Sequence, residues 1–370
     1  MERYKKSIIL SDLDKKMVIL SGPRQVGKTW LSKDISKQYQ NPLYLNYDAI
    51  DHRKVIENQS WLESVDLLVL DELHKMPAWK NYLKGIYDTK RDNLSILVTG
   101  SARLETFRGV GDSLAGRYYH HQLYPICLSE LPKPKSSDLE RLMSLGGFPE
   151  PFLANDALEA SRWRMQYIDG LIREDILDFE KVHDFKKIQM TLDLLRKRVG
   201  SPVSYKSIAD DIAASPNTVK RYIEIFEALF IIFRVSPFSK NIARSLLKEP
   251  KIYFYDTGMV QGDEGILFEN LVAVSLLKSL KTRQEKEGRK TSLMYLRTKD
   301  KREIDFCRVL DDEIEDAIEV KLSDDKISNH VLYFKERYKF KMTQIVKNLR
   351  LERVEQGVDL VKGFHFLKDL

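Results

Sequence analysis

At 370 residues the chain is too long for one ordinary domain, and a hydrophobic fraction of 43% can fill more than one core. With 61 basic and 55 acidic residues the formal net charge is +6, which permits a nucleic-acid partner without demanding one. Two distant cysteines, Cys127 and Cys307, exclude a disulfide scaffold and a zinc framework and fit a reducing compartment. No run approaches the roughly 20 apolar residues that span a bilayer. The charged start, Met1 to Lys6, does not read as a signal peptide. The expectation is a cytoplasmic protein with no membrane partner. There is no internal repeat and no low-complexity tract.

The first element is a strand, Met17-Val18-Ile19-Leu20. Gly22-Pro23-Arg24-Gln25-Val26-Gly27-Lys28-Thr29 follows and reads G-x-x-x-x-G-K-[ST], the phosphate-binding loop. Gly22 and Gly27 let the backbone turn its N–H groups inward toward phosphate oxygens. Lys28 is placed for the β- and γ-phosphates of ATP and the Thr29 hydroxyl for Mg²⁺. The residues from Thr29 and Trp30 to Ile35 have helical spacing, so the phosphates meet a helix N-terminus.

A second strand covers Leu43 to Tyr47, and a third ends in acids, Leu67-Leu68-Val69-Leu70-Asp71-Glu72. An apolar run of this kind is a buried parallel strand, and ligands sit at the C-terminal ends of such strands. Downstream of the loop this is a Walker B pattern, with Asp71 holding Mg²⁺ through water and Glu72 polarising the attacking water. A fourth strand, Ser95 to Ser101, ends in small polar residues; Ser101, or in its place Thr99, contacts the γ-phosphate or its water, and Ser101 can equally cap the next helix. Tyr118 to Ile126 reads as a fifth strand, preceded by Gly116-Arg117. Alternating strands and helical segments predict a parallel α/β sheet over residues 1–130.

Leu131-Pro132-Lys133-Pro134 opens a break, and helical periodicity then dominates residues 131–199, interrupted at Gly146-Gly147-Phe148-Pro149. This predicts a helical lid, on which Arg173 either senses nucleotide or faces solvent. Over residues 200–262, Tyr205 to Ala213 and Thr218 to Leu229 form two short helices about Ser215-Pro216-Asn217. Two strand-like runs, Phe230 to Val235 and Lys251 to Tyr255, complete a winged-helix pattern. Asn217, Thr218, Lys220 and Arg221 would face DNA in one reading, and the fold is a protein–protein spacer in the other.

Residues 263–370 open on a helix carrying Glu269 and continue with strands at Met294 to Arg297, Glu303 to Val309 and Ala317 to Leu322. Period-two geometry puts Glu319 and Lys321 on one face of the last of these strands.

The order of loop, Asp-Glu strand, Ser-ended strand and Arg before a fifth strand resembles an AAA+ ATPase core. In that family the arginine is often a finger for a neighbour's site, which implies a homo-oligomer and points to Arg117. Glu269, Asp305, Glu319 and Lys321 resemble the PD-(D/E)xK nuclease core, in which carboxylates bind Mg²⁺ and the lysine attends the attacking water. The whole chain is similar to a widespread bacterial and archaeal family that pairs an AAA-type ATPase with a C-terminal domain of unknown function. In that family a winged helix is joined to a restriction-endonuclease-like α/β fold. Besides the stretches above, Tyr255-Asp256-Thr257-Gly258 carries the likeness. The resemblance implies an ATPase acting on DNA, or a nucleotide-regulated interaction protein whose nuclease-like part is inactive.

Overall fold

Apolar β-branched runs with no polar interruption become central strands when both faces of a sheet are covered. The central strands of the first third of the chain follow that rule. The structure, a computed structural model, describes residues 3–100, 114–171, 184–239, 249–323 and 326–370. It divides into two units, Met1–Tyr124 and Pro125–Leu370.

In the first unit α1 (Lys6–Leu13) precedes β1 (Met17–Ser21), and α2 (Lys28–Ser36) leads to β2 (Pro42–Asn46). Then come α3 (Ile50–Asn58), β3 (Leu67–Asp71), α4 (Trp79–Thr89), β4 (Ser95–Thr99) and β5 (Tyr118–Gln122). The five strands form one sheet in the order β2-β3-β4-β1-β5, every pair parallel. All residues of β1 and β3 are buried. Their side chains pack on one face against Leu83 and Ile86 of α4. The register sets Asn46 beside Asp71, Asp71 beside Thr99, and Leu20 beside Thr99. The C-terminal ends of four strands therefore share one edge, where the polar residues collect. β5 stops at Gln122, short of the expected Ile126. Pro125 lacks the N–H that a continuing ladder needs.

The second unit begins with helices α5 (Ser136–Leu145), α6 (Pro149–Leu153), α7 (Ala157–Gly170) and α8 (Phe185–Arg196). The pair α9 (Tyr205–Asp211) and α10 (Pro216–Ala228) follows, with Ser204 and Ser215 capping their first turns. Next are β6 (Ile232–Pro237), β7 (Lys251–Phe254), α11 (Glu264–Glu287), β8 (Thr291–Arg297), β9 (Glu303–Leu310) and β10 (Glu313–Lys321). The chain ends with α12 (Asn329–Arg337), β11 (Lys341–Val346), β12 (Arg353–Glu355), β13 (Val358–Lys362) and α13 (Gly363–Lys368).

One mixed sheet runs β12-β13-β11-β10-β9-β8-β6-β7. The hairpin expected as a wing pairs antiparallel, Ile232 opposite Phe254 and Val235 opposite Lys251. β6 also pairs parallel with β8 at Ser236–Met294 and Pro237–Tyr295. The hydrogen-bonded sheet thus runs without a break from the β6–β7 hairpin into the C-terminal strands β8 to β13. From Asn270 to Leu276 every residue of α11 is buried, which makes it a central helix rather than an amphipathic surface one.

The two glycine motifs meet inside this second unit. Gly146, at φ +81°, ends α5, and a Cβ there would lie 1.6 Å from Asp256 Oδ1. Asp256 is fully buried; burial raises its carboxyl pKa, against the charge of Arg164, whose Nε donates to Oδ2 at 3.0 Å. Arg164 Nη2 also donates to the Leu145 carbonyl at 2.6 Å. Gly258 is held small by the Arg164 guanidinium, 2.1 Å from where its Cβ would stand.

Candidate functional site

Residues 22–27 form a tight loop between β1 and α2, and the motif's Lys28 and Thr29 open the helix. Gly22 sits at φ +145°, and a Cβ there would lie 2.4 Å from the Leu123 carbonyl oxygen, so only glycine fits. Gly27, at φ +98°, is the N-cap of α2, and Gln25 also takes a positive φ of 58°. Pro23 and Val26 are buried, Arg24 is half-buried and Trp30 is 49% exposed. Arg3, buried, donates to the Val26 carbonyl at 2.8 Å and braces the loop from behind.

The Lys28 ammonium lies inside the loop and donates to the carbonyls of Gly22 at 3.0 Å and Pro23 at 2.6 Å. Burial draws its pKa down to about 8, against the opposing pull of Glu72 and Asp71. An anion in the loop would offset that desolvation. Asp71, at the end of β3, is nearly enclosed. Its Oδ2 accepts from the Thr29 hydroxyl at 2.9 Å and the Tyr44 hydroxyl at 2.5 Å, and its Oδ1 accepts from Thr99. Glu72 follows at φ 56°, its N–H given to the Thr99 carbonyl at 3.0 Å. Its carboxylate stands 3.6 Å from His74 Nε2 and 3.8 Å from Lys75 Nζ. Burial, then the charge of Asp71, raises its pKa. A hydroxyl and a carboxylate in contact at the loop are hard oxygen donors, the kind Mg²⁺ takes, so these residues fit that ion.

Ser101 and Arg173 lie outside the described residues. Arg117 stands on the surface, paired through Nε at 2.7 Å and Nη2 at 3.1 Å with Asp88 of α4. On α10, Asn217, Lys220 and Arg221 are exposed. Lys220 lies 3.8 Å from Glu224, while the Thr218 hydroxyl is 2.9 Å from that of Ser215.

In the second unit Glu269 of α11, Asp305 of β9, and Glu319 and Lys321 of β10 belong to one charged cluster. Its centre is a residue the sequence reading did not single out for chemistry. Lys251 of β7, with a side chain 1% exposed, places Nζ 2.8 Å from Glu303, 3.3 Å from Asp305 and 3.8 Å from Glu269. Burial alone would lower its pKa; Asp305, Glu269 and Glu303 outweigh that and raise it. The Tyr253 hydroxyl donates to Glu269 at 2.6 Å, and Asp305 Oδ2 accepts the Val320 N–H at 3.0 Å. Lys321 pairs with Glu319 Oε1 at 2.7 Å. Burial, then Asp305, pushes Glu269 up to about 7 and Glu319 up to about 8. Among the described residues no group of three His, Cys, Asp or Glu is arranged to hold a metal ion. With an ammonium already among them, these carboxylates do not fit a bound divalent ion.

Residues 14–132 match the family model of an AAA domain. This part of the chain is an ATPase-like P-loop domain of AAA type. Residues 136–263 and 264–366 match two further models, each described as a domain of unknown function. An uncharacterized protein of Mycobacterium tuberculosis is 25% identical over 251 residues, covering 68% of this chain; the chain spans 56% of that relative's length. Uncharacterized proteins of Methanocaldococcus jannaschii and Haemophilus influenzae are each 23% identical, covering 74% and 87% of this chain and 70% and 87% of their own. Among solved structures, a Walker-type ATPase of Pyrococcus abyssi aligns with a TM-score of 0.46 at 16% identity, covering 70% of this chain and 94% of that one. A variant of RuvB from Thermotoga maritima aligns at 0.30 and 15% identity, over 62% and 87%.

In the first unit the sequence pointed to the loop, Asp71 and Glu72, and offered Thr99 for the γ-phosphate or its water rather than for the bond it donates to Asp71; Tyr44 and Arg3 were missed. Tyr44 ends up on Asp71 because β2 and β3 pair in parallel, and no local pattern signals a contact 27 residues away. Among the described residues no helix is long and apolar enough to cross a membrane.

Proposed function

We propose that the AAA domain binds ATP with Mg²⁺ and hydrolyses it, with Glu72 as the base that takes the proton of the attacking water. The observation that carries this is the 2.9 Å hydrogen bond from Thr29 to Asp71, which joins the phosphate loop to the acidic strand beside Glu72. Thr29 and Asp71 would hold Mg²⁺, which would supply positive charge against that of the phosphates. The Lys28 ammonium exchanges its carbonyl partners for phosphate oxygens. Thr29 and Asp71 orient the ion's side of the site, held by the Tyr44 and Thr99 hydroxyls. The deprotonated Glu72 accepts a proton, and general-base catalysis of this kind contributes about 10²–10⁴ in rate.

Glu72→Gln is expected to bind ATP and lose turnover by about that factor, since the base is gone while Asp71 remains. Lys28→Ala is expected to lose nucleotide binding. Wild-type turnover in Glu72→Gln would remove Glu72 from the mechanism.

We further propose that the second unit couples this ATPase to DNA through α9 and α10. Exposed Asn217, Lys220 and Arg221 and the sequence pI of about 8.9 support that reading. Phosphate contacts would make binding weaken as salt rises. Duplex, single-stranded or branched DNA should then stimulate the ATPase. Indifference to all three favours the second reading, a nucleotide-regulated interaction protein with an inactive nuclease-like part. The ammonium of Lys251 among the carboxylates supports that second reading.

A further inference from the structure

We propose that Lys251 is the resident cation of the carboxylate cluster in the second unit. Its ammonium fills the place of a divalent metal, and its removal would open a divalent-cation site made by Glu269, Asp305 and Glu319.

Three carboxylates from α11 and β9 surround one Nζ at 2.8, 3.3 and 3.8 Å. An ammonium carries three donors and suits such spacing. Mg²⁺ needs oxygens at about 2.0–2.1 Å and Ca²⁺ at about 2.3–2.6 Å, shorter than any of the three. Lys251 is not a surface lysine that happened to fold inward. Its backbone is fixed in β7 opposite Val235, and its side chain is 1% exposed. A charge enclosed to that degree persists only when paired.

The carboxylates are fixed as well. Glu269 accepts from Tyr253 and abuts Gly200, where a Cβ would come within 2.9 Å of its carboxylate. Asp305 is tied to the Val320 N–H. Glu319 has one oxygen on Lys321; the other, Oε2, is buried without a hydrogen-bond partner. An orphaned carboxylate oxygen on a side chain 5% exposed marks unused capacity for a cation. Counting Glu303, four carboxylates face Lys251, Lys321 and Arg297, the last 3.6 Å from Glu303. Without Lys251 the excess of negative charge grows by one, and a small dication is the group that answers it. The inference is independent of ATP hydrolysis, and the experiment below does not read turnover.

The test is Tb³⁺ luminescence of the full chain without nucleotide, sensitised by tyrosine, since the Tyr253 hydroxyl lies on Glu269. The part of the signal lost on Asp305→Asn reports the cluster. The wild type is expected to show none at micromolar Tb³⁺. Lys251→Met is expected to gain a saturable, Asp305-dependent signal that Mn²⁺ competes away, and Mn²⁺ should raise its melting temperature without raising that of the wild type. Lys251→Met/Glu303→Gln keeps the wild-type charge balance of the cluster and decides the matter should the single variant fail to fold. An Asp305-dependent signal of equal affinity in the wild type overturns the proposal, as does no signal in the folded double variant.

Discussion

His121 of β5 shows how a single buried side chain sets a pH response. Its Nε2 lies 2.8 Å from Asp12, yet burial and the charge of Lys5 outweigh that partner and lower its pKa from 6.5. Between the folded value and 6.5 the unfolded chain binds the proton and the folded chain does not, so stability rises with pH there. It follows that the His121 contribution is intact above pH 6.5 and shrinks as the pH falls through it. His121→Gln should flatten this part of the profile, read as a smaller difference in urea midpoint between acidic and neutral pH than the wild type gives. An equal difference in both proteins would show that His121 does not drive the effect. At this scale the sequence was a partial guide. Lys28, Thr29, Asp71 and Glu72 announce themselves through motif and spacing. Lys251 sits in an ordinary strand pattern, and only the packing of β7, β9 and α11 turns it into the centre of a charged cluster.

Short elements in this chain are joined by glycines whose importance depends on what stands beyond the missing Cβ. Gly146 closes α5 against the buried Asp256–Arg164 pair. Gly146→Ala must either displace Asp256 or unwind the helix end, and breaking a buried pair typically costs about 3–5 kcal/mol. Arg164→Ala should lose a similar amount by leaving Asp256 buried and unpaired. Gly85, inside α4, has nothing within 4 Å of its added Cβ. Gly85→Ala should therefore stabilise by about 0.5–1 kcal/mol through helix propensity. Urea unfolding of the three variants checks both signs, and a Gly146→Ala protein as stable as the wild type would show that Asp256 moves aside freely. The strands of the first sheet were readable because each is a short apolar run with turn residues at its ends. The junction of the two glycine motifs was not, because Gly146 and Asp256 are far apart in sequence and each looks locally like a loop. Nor was the union of the β6–β7 hairpin with the C-terminal sheet, since strand pairing across a helix the length of α11 leaves no local trace.

The whole molecule raises the question of whether one chain completes its own nucleotide site. In the proposed mechanism the loop, Asp71 and Glu72 would supply the phosphate lysine, the ion's ligands and a base. Arg117 is not turned toward them; it holds Asp88 on the surface. An exposed ion pair of this kind is worth about 0–1 kcal/mol, so a stronger acceptor on a neighbouring chain could take the guanidinium from it. Where an arginine acts as a finger it is worth about 10³–10⁵ in turnover. If Arg117 acts in trans, Arg117→Ala should lose turnover by several orders of magnitude while still binding ATP, and wild-type specific activity should rise with protein concentration. Lys28→Ala and Arg117→Ala are each expected to be inactive alone. Mixed, they should regain part of the activity, because some interfaces then combine an intact loop from one chain with an intact arginine from the other. Asp88→Ala removes the surface partner without touching the finger and should leave turnover near the wild-type rate. A monomer that keeps full specific activity at high dilution, or mixed variants that stay inactive, would return Arg117 to a surface ion pair and make the site the work of one chain.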